Sequence, residues 1–128
     1  MPNQPPPADS TQLRGARCVP CEGGIPRIEG DSAKRFAAAV PAWTLSDSHG
    51  SISRKLNLGN FQSAVDCLVR IGRLAEQEQH HPDLHLTGYR HLQVVLTTHA
   101  IGGLSHNDFI LAAKIDALLE GDTKESRG

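Results

Sequence analysis

The sequence predicts an α+β fold, α-β-β-α-β-β-α, with one four-stranded antiparallel sheet and three helices on one face. Two observations carry this prediction. After Asn60, apolar residues recur at helical spacing for about five turns. Between Tyr89 and Thr98, apolar and polar residues alternate, as they do in a strand with one buried face. The 128 residues have room for one domain of ordinary size.

The first half of the predicted domain is a helix followed by a hairpin. Asp31 or Ser32 can cap a helix over residues 33–40, and Pro41 ends it. The first strand covers residues 43–46, the polar turn residues 47–50, and the second strand residues 52–58. We expect His49, in that turn, to be solvated.

The second half contains the longest helix, two strands and a final helix. Asn60 caps the long helix, which should end near Gln79 because Pro82 disfavours a helical backbone at the residue before it. The two strands are predicted over residues 83–87 and 89–98. Ser105 and Asp108 have the spacing of a capping box for the final helix.

The chain divides into three parts. Residues 1–30 are predicted to be a disordered or irregular arm, residues 31–120 the domain, and residues 121–128 a frayed tail. In the arm, Cys18 and Cys21 form a Cys-x-x-Cys pattern, which suits zinc, a redox dithiol or a simple turn. A structural zinc site needs four ligands, and no second pair with metal spacing follows, so we favour the turn.

The bulk properties exclude several classes of function. Thirteen basic and fourteen acidic residues give no field that attracts nucleic acid or an anionic membrane. No apolar run approaches the length of a membrane span, and the first residues do not resemble a secretory signal. Three cysteines favour a reducing compartment, so we expect a cytoplasmic protein. Arg14 and Arg17 leave an organellar transit peptide open.

Histidines are concentrated at the predicted ends of the second helix and the last strand. Five of the seven lie between Glu76 and His99. Glu76 and His80 are four residues apart, so on a helix the carboxylate would orient the imidazole and favour its protonated form. No ligand set for a metal is evident, and neither is an activated nucleophile or a phosphate-binding loop. Proton transfer alone, as in a hydration, dehydration or isomerisation, is the chemistry that this pattern favours.

These residues resemble a known family. The pattern Glu76-x3-His80-His81-Pro82-x6-Tyr89-x9-His99-x8-Asp108 is similar to the signature of the pterin-4a-carbinolamine dehydratases at every element. The resemblance covers residues 31–119 and includes a tryptophan, Trp43, after the first helix. The arm around Cys18 is similar to an extension found in a plant- and microbe-type branch.

The resemblance implies an activity and a set of site residues. The protein would eliminate water from a 4a-hydroxytetrahydropterin to give a quinonoid dihydropterin, as a step in pterin recycling. It would need no metal or organic cofactor and would form a homodimer or homotetramer. His80 and His99 would be the acid/base pair, His81 would bind substrate, and Glu76 would orient its neighbour. Further substrate-binding positions would be Gln79, Pro82, Thr97, Thr98, Ala100 and Trp43, although Pro82 could be scaffold and Trp43 could be plain core rather than a pocket wall. Asp108 would be a signature residue or only the helix cap, whereas His85 and His91 would be bystanders.

Two other functions stay open at this point. The first is a non-catalytic module that dimerises and binds a transcription factor as a coactivator, as is associated with members of this family. It would need an exposed apolar helix face, and the second helix instead presents polar residues: Arg70, Arg73, Glu76 and Gln77. The other is a pterin-binding protein that serves another pterin pathway.

Overall fold

The predicted α+β fold is confirmed. A computed structural model describes residues 10–16, 18 and 26–127. Four antiparallel strands form one sheet in the order β1-β2-β4-β3. The elements are α1 (Ser10–Gly15), α2 (Gly30–Ala38), β1 (Thr44–Leu45), β2 (Ile52–Asn57), α3 (Phe61–Glu78), β3 (Asp83–Thr87), β4 (His91–Leu96), a 3-10 turn (His99–Ile101) and α4 (His106–Arg127).

The sheet has one buried face and one open face. The predicted alternation in β4 is confirmed, because Leu92, Val94 and Leu96 are all fully buried. The intervening positions lie on the other face. That open face exposes His85 of β3 and His91 of β4, so neither histidine approaches the core.

Helix α3 follows the predicted pattern closely. The Asn60 side chain accepts a hydrogen bond from the Ser63 backbone N–H at 2.8 Å, which caps the helix. The residues buried at helical spacing are Ala64, Cys67, Ile71 and Ala75. The helix ends where Gln79 adopts a left-handed backbone with φ of 58°.

Within the described ranges, no helix is long and apolar enough to cross a membrane.

Helix α2 and the strands differ from the sequence prediction at their ends. Helix α2 begins three residues early, at Gly30, and Glu29 caps it through its carbonyl rather than through a side chain. Strand β4 begins at His91 because Gly88 and Tyr89 have positive φ and form the turn from β3. A left-handed backbone cannot continue a strand, so Tyr89 lies outside it.

The N-terminal arm is more ordered than the sequence predicts. Residues 10–15 form α1, which packs against α4 and buries Leu13 to 1% exposure. A single leucine in a polar, proline-rich segment gives no periodic signal, so sequence alone did not reveal this docking. Cys21 lies outside the described residues, so the proposed Cys-x-x-Cys turn stays untested. At the other end, α4 continues to Arg127, through most of the segment expected to fray.

The docking of α1 can be tested with Leu13→Ala. Truncating a fully buried leucine costs about 2–5 kcal/mol of unfolding free energy, because contacts are lost and a cavity remains. Guanidinium unfolding should therefore show a lower midpoint for Leu13→Ala. Thr11→Ala, at an exposed position of the same helix, is the matched control and should leave the midpoint in place. Equal midpoints for the two variants would contradict docking of α1.

Candidate active site

A buried histidine–aspartate pair lies at the centre of the candidate site. After the left-handed Gln79, the His80 backbone N–H returns to the carbonyl of Ala75 at 3.2 Å. The His80 ring then enters the interior, with Nε2 2.6 Å from Asp108 Oδ1. His80 is 5% exposed and Asp108 is fully buried. A hydrogen bond to a buried carboxylate fixes both the orientation of an imidazole and the nitrogen that carries its proton.

The second oxygen of Asp108 is also fully engaged. Asp108 Oδ2 accepts hydrogen bonds from Thr98 Oγ1 and from the Ser105 backbone N–H, both at 2.9 Å. The two hydroxyls, Thr98 Oγ1 and Ser105 Oγ, are 2.7 Å apart. One half of the predicted capping box is therefore present, the bond from the Ser105 N–H to the Asp108 carboxylate, whereas the Ser105 hydroxyl pairs with Thr98. Asp108 does more than cap, because it joins the ends of α3 and β4 to the start of α4.

Glu76 pairs with His81 and not with His80. Its Oε1 lies 2.9 Å from His81 Nε2, and both side chains are exposed. The expected contact between Glu76 and His80 required a helix that continues through His80. Helix α3 ends at Glu78, and the left-handed Gln79 turns the His80 ring away from Glu76.

His99 lies at the surface, on a short closed loop. Its two ends, Thr98 and Gly103, form an isolated antiparallel bridge. Thr97 Oγ1 donates to the carbonyl of Gly50 at 2.7 Å, which ties the loop to the β1–β2 hairpin. Along this segment Thr98 points inward to Asp108, whereas His99 is exposed. The loop thus places one residue in the buried network and the next in solvent.

The structure brings only part of the predicted set together. His80, Thr98 and Asp108 are in direct contact, and His81 and His99 each follow one of them in the chain. The remaining positions differ in exposure: Gln79 and Ala100 are exposed, and Pro82 and Thr97 are half-buried. The role of Ser105 in the network was missed. A hydroxyl at a predicted cap gives no sign that it also binds Thr98.

Trp43 does not belong to this cluster. Its ring is 4% exposed, and its Nε1–H donates to Asp116 Oδ1 at 2.8 Å. Arg54 pairs with the same oxygen of Asp116. Trp43 therefore ties the start of β1 to α4 inside the core, which favours the core alternative over a pocket wall.

Two further features, His106 and a polar cleft, lie outside the hydrogen-bond network of the site. Partial burial lowers the pKa of His106, whose ring contacts Phe36 edge-on at 5.2 Å between centroids. Its imidazole is thus neutral near pH 7, two residues from the Asp108 carboxylate. Beside the His99 turn is a cleft of about 300 Å³. Its lining is Arg27, Ile28, Glu29, Gly30, Ser48, His49, Gly50, Gly102 and Gly103, so it does not include the three site histidines.

No group of three or more His, Cys, Asp or Glu side chains in the described part of the chain is arranged to hold a metal ion. The structure describes two cysteines, Cys18 and Cys67, and Cys67 is buried in α3. The donors present around Asp108 are one imidazole, one hydroxyl and one backbone N–H. This set suits the holding and transfer of protons.

The network can be tested by comparing Asp108→Ala with Asp108→Asn. The alanine variant leaves three buried donors without an acceptor and should lower the unfolding free energy by about 3 kcal/mol or more. The asparagine oxygen can still accept from Thr98 and Ser105, while its NH₂ group faces His80 and moves the ring proton to Nδ1. Denaturant unfolding should therefore show a much smaller loss for Asp108→Asn. Equal losses would contradict the hydrogen-bond assignment.

Comparisons with known proteins give the family of this chain. The sequence model of the family described as pterin 4 alpha carbinolamine dehydratase matches residues 26–118. A protein of Rubrobacter xylanophilus, assigned by name to these dehydratases, is 39% identical over 84% of this chain and 99% of its own. One of Halorhodospira halophila, with the same assignment, is 44% identical over 83% and 96%.

A solved structure is also similar. The crystal structure of a transcriptional coactivator/pterin dehydratase from Brucella melitensis covers 73% of this chain and 98% of that one, with a TM-score of 0.67 and 25% identity. The fold, the signature residues and the relatives all lead to one family. The chain belongs to the pterin-4-alpha-carbinolamine dehydratases.

Proposed function

We propose that this protein is a hydro-lyase that removes water from a 4a-hydroxytetrahydropterin and releases a quinonoid dihydropterin. The observation that carries the proposal is the buried pair of His80 and Asp108, with His81 and His99 exposed beside it. Family membership supplies the substrate class. The pathway would be pterin recycling after hydroxylation of an aromatic amino acid.

The reaction needs two proton transfers and no change of oxidation state. The bond between C4a and the hydroxyl oxygen breaks as that oxygen takes a proton and leaves as water. The proton on N5 departs, and its electron pair forms the C4a=N5 double bond. One donor and one acceptor near neutral pH are sufficient, and imidazole can serve as either.

His80 and His99 are the proposed proton carriers. Asp108 holds the His80 ring at 2.6 Å, so that ring is presented in one orientation. His99 is exposed on its closed loop and can exchange protons with solvent as well as with the pterin. One of the two protonates the departing hydroxyl, while loss of the N5 proton completes the elimination.

The other site residues are proposed to bind and orient the pterin. His81 is exposed and oriented by Glu76 at 2.9 Å, so it can donate to a pterin oxygen or nitrogen. Gln79 and Ala100 are exposed beside it and beside His99, respectively. The hydroxyls of Thr97 and Thr98 are bonded within the protein, and so are the backbone N–H and carbonyl of Thr98. These two residues would therefore line the pocket beside His99 and hold its loop in place.

The five histidines between Glu76 and His99 provide the kinetic test. His80→Gln and His99→Ala should each lower kcat for a 4a-hydroxytetrahydropterin by roughly 10²–10⁴-fold, the usual range for an acid/base residue. His81→Ala should mainly raise KM. His85→Ala and His91→Ala, on the open face of the sheet, are matched controls and should keep the wild-type rate. Stopped-flow absorbance, corrected for the unaided reaction, measures each rate. Wild-type turnover by a double variant of His80 and His99 would contradict their assignment as proton carriers.

Assembly through α3 is a second proposed function, as a homodimer or homotetramer or with a foreign helix. Phe61 and Val69 are 56% and 41% exposed, respectively. They lie eight residues apart on one face of α3, with Val65 between them. The Brucella structure, described as a coactivator/dehydratase, motivates the foreign partner.

Light scattering can test the self-association. We expect a wild-type mass of two or four chains and a lower mass for Val69→Lys, which places a charge in the apolar contact. Tyr89→Ser, at an exposed residue of the β3–β4 turn, is the control and should keep the wild-type mass. A monomeric wild-type chain would contradict self-association. A wild-type mass retained by Val69→Lys would place the contact elsewhere.

A further inference from the structure

The N-terminal arm meets the candidate site at Cys18. The Cys18 backbone N–H donates to Glu78 Oε1 at 3.0 Å, and its thiol donates to the Asn107 carbonyl at 3.6 Å. Glu78 is the last residue of α3, two positions before His80. Asn107 immediately precedes Asp108. Cys18 therefore contacts a residue two positions before His80 and the residue directly before Asp108.

Glu78 is the junction of these contacts. Its other oxygen, Oε2, lies 3.5 Å from Lys114 Nζ of α4, and the two side chains are only 14% and 18% exposed. Lys114 Nζ also donates to the Arg14 carbonyl, at 2.8 Å. The carboxylate thus links the end of α3 to the arm directly and to α4 through an ion pair.

Without these contacts, a carboxylate at the position of Glu78 would be unfavourable. The C-terminal end of a helix carries partial negative charge, so a carboxylate there is disfavoured unless positive groups compensate it. The Cys18 N–H and the Lys114 ammonium supply that compensation. Helix ends are also the parts of a helix that open most easily. A compensated, mostly buried carboxylate at this point holds the last turn of α3 against α4.

We propose that Glu78 is a positioning residue: its contacts with Cys18 and Lys114 fix the end of α3 and so set the distance between His80 Nε2 and Asp108 Oδ1. The kinetic consequence rests on the proposed function, whereas the geometric consequence does not. A short, buried hydrogen bond is sensitive to displacement, and a misplacement of about 1 Å can cost up to 10²-fold in rate.

The test compares Glu78→Ala and Glu78→Gln in the full chain. Alanine removes both contacts, and we expect kcat to fall roughly tenfold with KM within about twofold. Glutamine keeps an oxygen that can accept from the Cys18 N–H, so it should restore most of kcat. Glu120→Gln is the matched control. It weakens an exposed ion pair between the arm and α4, Arg14–Glu120 at 2.6 Å, away from the pair.

A second measurement reads the geometry without any turnover. In protein labelled with ¹⁵N-histidine, the His80 ring resonances report its bond to Asp108. We expect them to shift in Glu78→Ala and to match wild type in Glu78→Gln and Glu120→Gln. Unchanged His80 resonances in Glu78→Ala would overturn the proposal. This holds even if Glu78→Ala and Glu120→Gln lose equal amounts of melting temperature, because a loss of stability without a shift of the His80 resonances would indicate a purely structural role. A wild-type chain without dehydratase activity would refute the proposed function, and the resonances would still decide the role of Glu78.

Discussion

The hydrogen bond between His80 and Asp108 is the interaction on which the site depends. A carboxylate without solvent exposure is costly unless donors surround it, and Asp108 has three. They come from the segment after α3, the end of β4 and the start of α4. The three elements must therefore meet at one point for the charge to be buried. Fold and site are consequences of the same constraint.

The left-handed backbone of Gln79 makes this meeting possible. A helix that continued through His80 would direct its ring along the surface, towards Glu76. The reversal at Gln79 turns the ring inward and leaves His81 outside with Glu76. Two adjacent histidines thereby receive opposite environments, one buried and one exposed. The same division recurs at Thr98 and His99, where the buried hydroxyl precedes the exposed ring.

Much of the fold was predictable from sequence, because it depends on local patterns. The burial of Leu92, Val94 and Leu96 follows from alternation in β4, and the start of α3 follows from Asn60. The partner of Glu76 was not predictable, because it depends on a left-handed residue that is not glycine. The docking of Leu13 depends on α4, which lies about a hundred residues away, and no local pattern records such a contact.

The site was only partly predictable for a related reason. Spacing identified Ser105 and Asp108 as a capping box, and that contact is present. The same carboxylate also forms hydrogen bonds with His80 and Thr98, and these tertiary contacts leave no local sequence pattern. Trp43 shows the opposite case. Its place in the family pattern left both a pocket wall and the plain core open, and the half-buried Asp116 provides an acceptor for its N–H that holds it in the core.

The hydroxyl pair beside Asp108 has a consequence for where a proton can go. Thr98 has a single hydroxyl hydrogen, and it points to Asp108 Oδ2, so the Ser105 hydroxyl must donate to Thr98. With two donors already directed at Oδ2, the remaining route for exchange with Asp108 is the line from His80 Nε2 to Oδ1. The buried network therefore confines any shared proton to Oδ1, the carboxylate oxygen that faces the histidine.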